Sequence, residues 1–352
     1  MNNSFAKKLL AWHAANPRSM PWKNTHDPYK IWLSEIILQQ TRVEQGLPYY
    51  ERMTKRFPTI RHLAGAAEDE VLKLWEGLGY YTRARNLHAA ARQVVNEYDG
   101  QFPSSYDEIL KLKGVGAYSA AAIASFAYSL PYAVVDGNVF RVLARYFGIR
   151  EAADSTSGKR IFSALAQELL DKKYPADYNQ AIMNFGALVC KPANPSCDAC
   201  IFKMECVAFS KNAVFDFPVK EKKVTMRNRW FNFLVLENEE EIIVERRDSK
   251  DIWKGLYQFP LLESKAPMSG SRFEQHWKRN TFFDGRKLNI RSASGVMRQQ
   301  LTHQSIHARF FSVKLKKSRL QLPEGWLKVK KKSLAGLAFP VVIRKYLAAV
   351  ES

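Results

Sequence analysis

Cys190-Lys191-Pro192-Ala193-Asn194-Pro195-Ser196-Cys197-Asp198-Ala199-Cys200-Ile201-Phe202-Lys203-Met204-Glu205-Cys206 holds every cysteine of the chain. A secreted disulfide protein scatters its cysteines over the fold. Four thiols packed into 17 residues, in a chain that shows no export signal, point instead to one metal centre. Thiolates suit either tetrahedral zinc or an iron–sulfur cluster. Zinc ribbons usually present two CxxC pairs. The pattern C-x6-C-x2-C-x5-C has a single pair and uneven outer loops, which leans towards [4Fe–4S].

Upstream of this loop the chain reads as helix after helix. Asp27-Pro28 is a start signal, with Asp as N-cap and Pro at the first helical position, and Tyr29–Arg42 follows. Glu68–Trp75, Tyr81–Tyr98, Tyr106–Leu112, Tyr118–Tyr128, Asn138–Phe147 and Lys159–Asp171 are further helical stretches, with Gly77, Gly79, Gly100 and Gly148 where helices should end. Between two of them lies Leu112-Lys113-Gly114-Val115-Gly116-Ala117-Tyr118. Gly114 and Gly116 permit a tight turn. The helix that follows would present unpaired N–H groups, a site for a phosphate.

Two acids stand out. Asp136 lies 20 residues beyond Gly116 and just before a helix, the ordinary place of an N-cap. A carboxylate held there stays ionised. Glu35 sits in Ile31-Trp32-Leu33-Ser34-Glu35-Ile36-Ile37-Leu38, apolar on nearly every side, so burial is expected. At helical spacing it shares a stripe with Ile31, Leu38 and Arg42, and an ion pair with Arg42 is the bland alternative. A desolvated carboxyl has a raised pKa. One acid kept protonated beside one kept ionised is the arrangement of glycosidases.

The character changes after Cys206. Lys211–Arg229 is charged, carries Pro218 and reads as a linker. Trp230–Glu237 and Glu241–Arg247 are short alternating or β-branched runs joined by an acidic turn, a hairpin signal. Phe310–Leu315 also alternates, and Arg272–Arg279 and Phe339–Val350 look helical. The expected architecture is therefore a mainly α N-terminal part at 1–210, a linker at 211–229 and an α+β domain at 230–352. Basic residues outnumber acidic ones 54 to 34. Of the net +20, the part from Met226 onwards carries +13, and Arg291–Lys332 holds 11 basic residues against the single acid Glu324. Such a balance points to a polyanionic partner, usually nucleic acid. The longest uncharged run, Ala117–Val135, is Ala/Ser-rich and broken by Pro131, a buried helix and loop rather than a membrane span. A cytoplasmic protein is expected, associated with the nucleoid if bacterial.

The cysteine spacing at the end of a helical segment resembles the iron–sulfur loop of the endonuclease III superfamily. The glycine turn is similar to its helix–hairpin–helix element, here 106–128. Leu33-Ser34-Glu35-Ile36-Ile37-Leu38-Gln39-Gln40-Thr41-Arg42-Val43, Gly77-Leu78-Gly79-Tyr80-Tyr81-Thr82-Arg83-Ala84-Arg85-Asn86-Leu87 and Val135-Asp136-Gly137-Asn138-Val139 closely resemble the MutY adenine DNA glycosylases. Trp253–Pro260 and Leu301-Thr302-His303 look like the Nudix-like C-terminal domain of that family, although many members carry Phe-Ser-His where this chain has Leu301-Thr302-His303.

The resemblance implies a fold, a chemistry and a set of roles. The fold is a helix–hairpin–helix glycosylase region with an iron–sulfur loop, followed by a Nudix-like domain. The activity is monofunctional excision of adenine opposite 8-oxoguanine or guanine in duplex DNA, by a monomer carrying a [4Fe–4S] cluster on Cys190, Cys197, Cys200 and Cys206. Glu35 would protonate N7 of adenine and later help to activate water. Asp136 would stabilise the sugar cation, with Tyr118 and Asn138 holding the two acids and the sugar. Arg18, Trp22, Leu38 and Val43 would line the adenine pocket. Gln40, Thr41, Tyr80, Gly114, Val115 and Gly116 would meet the duplex, Gln40 and Tyr80 near the base opposite. Leu301, Thr302 and His303 would read the lesion. The rival readings are an endonuclease III-like lyase on oxidised pyrimidines, which carries Lys where this chain has Tyr118, and a non-catalytic iron–sulfur protein that only binds DNA. A Nudix hydrolase needs a Glu-rich metal helix after Gly255, and Leu262–Lys278 carries only isolated acids.

Overall fold

The computed structural model describes residues 2–23, 25–221, 225–248, 250–278, 290–315 and 322–351. Parts of three expected features lie outside them: residues 222–224 of the linker, Arg279 of the helical stretch, and Lys316, Lys317 and Arg319 of the basic run. The chain forms two compact units, Met1–Gly65 with Asn86–Lys223, and Ala66–Arg85 with Val224–Ser352. The division at 223/224 falls inside the expected linker 211–229, and the departure is Ala66–Arg85, a stretch of the helical half that packs with the sheet. No described helix is long and apolar enough to cross a membrane.

The first unit is helical. Its helices are α1 (Asn2–Ala15), α2 (Pro28–Leu38), α3 (Val43–Arg56) and α4 (Ile60–Gly65). After α5 (Glu68–Leu74), which belongs to the second unit, come α6 (Thr82–Glu97), α7 (Tyr106–Lys111), α8 (Ala117–Tyr128), α9 (Gly137–Phe147), α10 (Thr156–Leu169), α11 (Pro175–Leu188) and α12 (Val207–Ser210). Asp27 caps α2 by accepting from Tyr29 N and Lys30 N, with Pro28 inside the first turn. Ser105 caps α7 and Ser155 caps α10 in the same way. The helix expected to reach Arg42 stops at Leu38, and Arg42 is the N-cap of α3. The helical spacing from Glu35 to Arg42 is therefore broken. α1, α3 and α11 lie outside the stretches that sequence marks as helical. α3 contains Gly46 and Pro48, and α11 contains Asn179, Asn184 and Gly186. Such residues are poor helix formers, and tertiary burial overrides the propensity.

Two packings position the site. α8 is rich in alanine, with Ala120, Ala121, Ala122 and Ala124 all buried, so α2 approaches it closely. α9 and α11 share a core with α1 that includes Leu9, Val139, Leu143, Phe162, Phe185 and Phe202. Each such side chain contributes about 1.5–3 kcal/mol through burial. At the crossing, a methyl on Gly186 would lie 2.7 Å from Asn138 Cβ and 3.0 Å from its carbonyl oxygen. Only glycine lets α11 seat this near the start of α9. The expected linker is partly ordered on this unit. Phe217 is buried, Arg145 Nε donates to the Val214 carbonyl at 2.9 Å, and Ala153 N to the Val219 carbonyl at 3.0 Å.

The second unit is built on an eight-stranded mixed sheet. Its strands are β1 (Arg227–Glu237), β2 (Glu241–Arg246), β3 (Tyr257–Gln258), β4 (Leu261–Ser264), β5 (Ile290–Ala293), β6 (Met297–Gln300), β7 (Gln304–Lys314) and β8 (Trp326–Lys330). The main order is β3-β2-β1-β7-β5. The expected hairpin forms, with Glu237 opposite Ile242. β1 does not alternate as its first residues suggest, since Phe231 to Leu236 is buried throughout. The reason is its central place, parallel to β7 over its whole length and covered on both faces. On one face Phe310 stacks on Tyr346 of α14 (Val341–Glu351) at 3.9 Å. On the other, Phe311 stacks at 4.0 Å on Phe273 of α13 (Gly270–Lys278).

The segment Ala66–Arg85 is tied to this sheet by charge and by glycine. Arg246 pairs with Glu68 at 2.8 Å and Asp69 at 3.3 Å. Tyr257 donates to Asp69 at 2.8 Å. Glu76 Oε1 accepts from Arg344 Nε and from Phe339 N, both at 2.7 Å. Gly255 has φ +84 and meets Leu72, so a side chain there is excluded by conformation and by space.

Gly186→Ala is expected to cost about 1–3 kcal/mol by overpacking the α9–α11 crossing, read as a lower urea midpoint at unchanged slope. Gly65→Ala, where the added methyl meets nothing within 4 Å, should change stability by less than about 0.5 kcal/mol. Equal effects would mean that the crossing yields to a methyl.

Candidate active site and lesion-reading loop

Glu35 lies on the third turn of α2, 6% exposed, among buried Ile31, Trp32, Ile36 and Ile37. A carboxyl in that setting needs a donor, and Tyr118 supplies it. The phenol Oη donates to Glu35 Oε2 at 2.9 Å. Tyr118 reaches it because Gly116 starts α8 as an N-cap without a side-chain bond, which places residue 118 on the first turn, facing α2. Gln39 adds a second tie between the helices, donating to Ser119 Oγ at 3.0 Å. Burial pushes the Glu35 carboxyl up to about 7; the Tyr118 bond opposes this and nearby Asp136 adds to it. Burial, followed by the neighbouring Glu35 carboxylate, also raises the Tyr118 phenol well above its usual range.

Asp136 is held quite differently. It caps α9, accepting from Asn138 N and Val139 N, each at 2.8 Å, through Oδ1. Asn138 Nδ2 donates to its other oxygen at 2.7 Å. Burial leaves this carboxyl raised above its usual range, and the Val139 and Asn138 donors and the Arg141 charge offset part of that rise. Three donors and a helix N-terminus favour the anion at Asp136. One donor and deep burial favour the neutral acid at Glu35. The cap and the candidate catalytic anion are one residue.

Arg141 was not singled out from sequence, and it anchors this corner. It is 8% exposed. Its Nη2 donates to Asn138 Oδ1 at 2.8 Å and to the Gly186 carbonyl at 2.7 Å. Its Nε donates to the Cys190 carbonyl at 2.7 Å. The signal available was an arginine three residues after Asn138, repeated one turn on at Arg145.

The hairpin is as the glycines suggest. Gly114 has φ +78 and a methyl there would lie 2.5 Å from Asn86 Cβ. Val115 is buried, and Gly116 lies in open space. The expected pocket residues are dispersed in role. Trp22 is buried edge-on against Tyr50 at 5.1 Å. Arg18 pairs with Glu44 at 3.5 Å. Leu38 ends α2, and a methyl on Gly46 would lie 2.8 Å from its Cδ2. Val43 opens α3. Thr41 Oγ1 donates to the Gln39 carbonyl at 3.3 Å. Gln40 and Tyr80 share an unusual feature, with φ of +55 and +48. Left-handed backbone at a residue with a long side chain costs about 1–3 kcal/mol and gathers at functional sites.

In the second unit, Leu301, Thr302 and His303 form the tip between β6 and β7, closed by Leu301 N donating to the Gln304 carbonyl at 2.8 Å. Thr302 and His303 are exposed. Thr302 Oγ1 and Tyr80 Oη are hydrogen-bonded to each other. The tip borders a cavity of about 430 Å³ whose wall includes Tyr80, Tyr81, Arg85, Trp253, Thr302 and His303.

Cys190, Cys197, Cys200 and Cys206 are free thiols that line one common pocket, with Val189, Phe209 and Val214 beside them. Among the described residues, no three His, Cys, Asp or Glu side chains form a group fit for a single ion. Burial, with the neighbouring sulfurs, pushes the Cys197, Cys200 and Cys206 thiols up, Cys200 to about 11. Thiolates this close stay ionised only around a cationic centre. Arg145 donates to Cys190 Sγ at 3.4 Å and to the Lys191 carbonyl at 2.8 Å. Such second-shell bonds typically steady a thiolate ligand set. The donor set fits a thiolate-ligated group.

Comparison with known proteins places these features in a lineage. Residues 33–168 match the HhH-GPD superfamily of base excision DNA repair proteins, and residues 232–349 match the NUDIX domain. The chain is 38% identical over 258 residues to the adenine DNA glycosylase of Buchnera aphidicola subsp. Baizongia pistaciae, covering 73% of each chain. It is 41% identical over 214 residues to the adenine DNA glycosylase of Homo sapiens, covering 58% of this chain and 39% of the relative. Among solved structures it is similar to a thermostable thymine-DNA glycosylase, with a TM-score of 0.56 and 30% identity, covering 60% of this chain and 97% of that one. A relative this similar, matched over most of its length, shows that the chain belongs to the adenine DNA glycosylase family.

Proposed function

We propose that this protein hydrolyses the N-glycosidic bond of adenine paired with 8-oxoguanine or guanine in duplex DNA, and stops at the abasic site. The observation that carries this reading is the contrast between Glu35, buried and bonded to one phenol, and Asp136, bonded by three donors. A base in a duplex must leave the stack before its glycosidic bond can be reached. Glu35, raised to about 7 and so about half protonated at neutral pH, gives its proton to N7 of the extruded adenine. The C1′–N9 bond breaks, and its electron pair leaves with the base. Positive charge then develops on the sugar, where the Asp136 anion stabilises it. Water attacks C1′ and loses its proton to the Glu35 carboxylate, which restores the acid. The hairpin amides around Gly116 and the net charge of +20 support sequence-independent binding of the phosphate backbone. Thr302 and His303, exposed at a tip beside Tyr80, suit the reading of the base opposite. Gln40 and Tyr80, on costly backbone, suit insertion into the duplex. The pocket for adenine would be formed around Arg18, Trp22, Leu38 and Val43. We assign a [4Fe–4S] cluster to Cys190, Cys197, Cys200 and Cys206, and when bound it supplies iron–thiolate bonds that fix the loop between them.

Duplexes containing 8-oxoguanine:adenine, treated with alkali after incubation and sized, test the activity. Glu35→Gln and Asp136→Asn should each lower excision by about 10²–10⁴-fold while leaving binding to mispaired DNA in place. The Glu35 carboxyl keeps its proton up to about pH 7 when folded, against 4.5 otherwise. The excision rate of the wild type should therefore fall above about pH 7. The same shift carries a stability sign. Between pH 4.5 and 7 the folded state binds the extra proton, so stability falls as pH rises through that window. Glu35→Gln removes that fall, gaining up to about 3 kcal/mol on the wild type above pH 7 and nothing near pH 4. A flat rate profile and a flat stability difference would return Glu35 to a packing role.

Tyr118 separates hydrolysis from lyase chemistry. A lysine there could attack C1′ and form a Schiff base, which a phenol cannot. Tyr118→Lys should yield a protein–DNA complex trapped by borohydride, with far less from the wild type. Equal, efficient trapping by both would assign the nucleophile to another lysine.

The purified protein should be brown, and metal analysis should find iron with acid-labile sulfide. Cys197→Ser should lower soluble yield and DNA binding together, since a thiolate set contributes directly to folding. One zinc and no iron per chain would overturn the cluster assignment.

A further inference from the structure

Arg229 is the third residue of β1 and is 6% exposed. Each of its five N–H groups has an acceptor. Nε and Nη2 donate to the two oxygens of Glu263 at 2.7 and 2.6 Å. Nη1 and Nη2 donate to the two oxygens of Asp251 at 2.9 and 2.7 Å. The remaining Nη1 proton goes to Gln304 Oε1 at 3.0 Å. The guanidinium also lies 4.8 Å from the centre of the Phe231 ring. The network continues inwards, since Asp251 accepts from Arg247 Nη2 at 2.6 Å and Arg247 donates to the Ile252 carbonyl at 2.7 Å.

The three partners of Arg229 come from three separate segments, and two of them line the cavity beside the tip. Asp251 does so with Ile252 and Trp253, and Gln304 with Gln299 to His303. Gln304 directly follows His303. The backbone adds to this hold at the same point, with Arg227 N donating to the His303 carbonyl at 3.1 Å. Thr302 and His303 are themselves exposed, so their placement is inherited from the strand beneath.

Burying a charge cluster is a poor route to stability, because desolvation offsets most of the attraction and apolar residues of the same volume often do as well. A guanidinium with two bidentate carboxylates offers what apolar packing lacks, which is fixed angles and distances between the groups it joins. We propose that Arg229 is a positioning residue, which sets the Leu301–His303 tip against the Asp251–Trp253 wall and thereby sets the preference for 8-oxoguanine over guanine opposite adenine. This rests on the reading that the tip recognises the lesion.

The test compares single-turnover excision on 8-oxoguanine:adenine and G:adenine duplexes for four full-length proteins. They are the wild type, Arg229→Lys, the double variant Arg229→Met/Glu263→Gln, and the tip variant Thr302→Ala/His303→Ala. Lysine keeps the charge and loses the fork. The double variant removes the guanidinium together with one of its carboxylates and leaves Asp251 paired with Arg247, so it keeps a folded species in hand if Arg229→Lys does not fold. The expected result is a G:adenine rate near that of the wild type in both Arg229 variants, with the ratio of the two rates lowered by about tenfold, the size expected for one hydrogen-bonding group out of place. The tip variant should lose the ratio as well. An unchanged ratio in the folded Arg229 variants, beside a lost ratio in the tip variant, overturns the positioning role. An equal fall of both rates also overturns it, since Arg229 would then serve stability alone. A tip variant that keeps the full ratio overturns the lesion-reading assignment itself, and this inference with it.

Discussion

Glu35 is a carboxyl on an apolar helix with one hydrogen-bond donor, the Tyr118 phenol. That constraint shapes the first unit. An acid so deeply buried is tolerated only if it is neutral or well partnered. The partner arrives from another helix, and of the polar groups on the neighbouring turns of α2 the Ser34 hydroxyl already donates to the Ile31 carbonyl. The alanines of α8 allow the approach, and Gly114 with Gly116 sets where α8 begins. A bulkier α8, or a start one residue earlier, would carry the phenol away from the acid. The hairpin that would grip phosphate and the donor of the acid that would protonate the base thus both come from residues 114–118.

The opposite acid depends on a second chain of contacts. Asp136 is oriented by the first turn of α9 and by Asn138, which Arg141 holds. Arg141 in turn donates to the carbonyls of Gly186 and Cys190. The start of the cysteine loop and the candidate catalytic anion therefore share one buried guanidinium. A neighbouring one, Arg145, bonds the loop at Cys190, Lys191 and Pro192. Arginine suits both places because its rigid fork satisfies several carbonyls at once.

The second unit shows a similar logic at the tip beside β7. An exposed tip of three residues has little packing of its own. Its geometry comes from below, through Arg229 and Gln304, and from the side, through Tyr80. The segment Ala66–Arg85, which carries Tyr80, is held to the sheet by ion pairs with Arg246 and Arg344 and by the closeness of Gly255 to Leu72. Tyr80 and Thr302, proposed to meet the duplex and the base opposite, are thereby part of one packed body.

Much of this was legible in the chain itself. Helix starts at Asp27 and Asp136 follow from short polar side chains that bond nearby amides. The hairpin follows from two glycines, and the gathering of the four cysteines around one pocket from their close spacing. The burial of Glu35 follows from its neighbours in the helix. These are local matters, decided within a few residues. What pairs with Glu35 was not local. The stripe along α2 offered Arg42 as the bland partner, but the helix ends at Leu38 and the donor is Tyr118, which only the family resemblance implied. The same holds for β1, read as alternating yet buried on both faces because β7 lies parallel to it, and for α11, a poor helix by composition that packing against α9 secures. The grouping of residues 66–85 with the sheet was also beyond sequence. Propensity and spacing report energies between near neighbours, whereas a buried charge takes its partner from whichever segment the packed core brings within 3 Å, and that is settled only when the whole unit has formed.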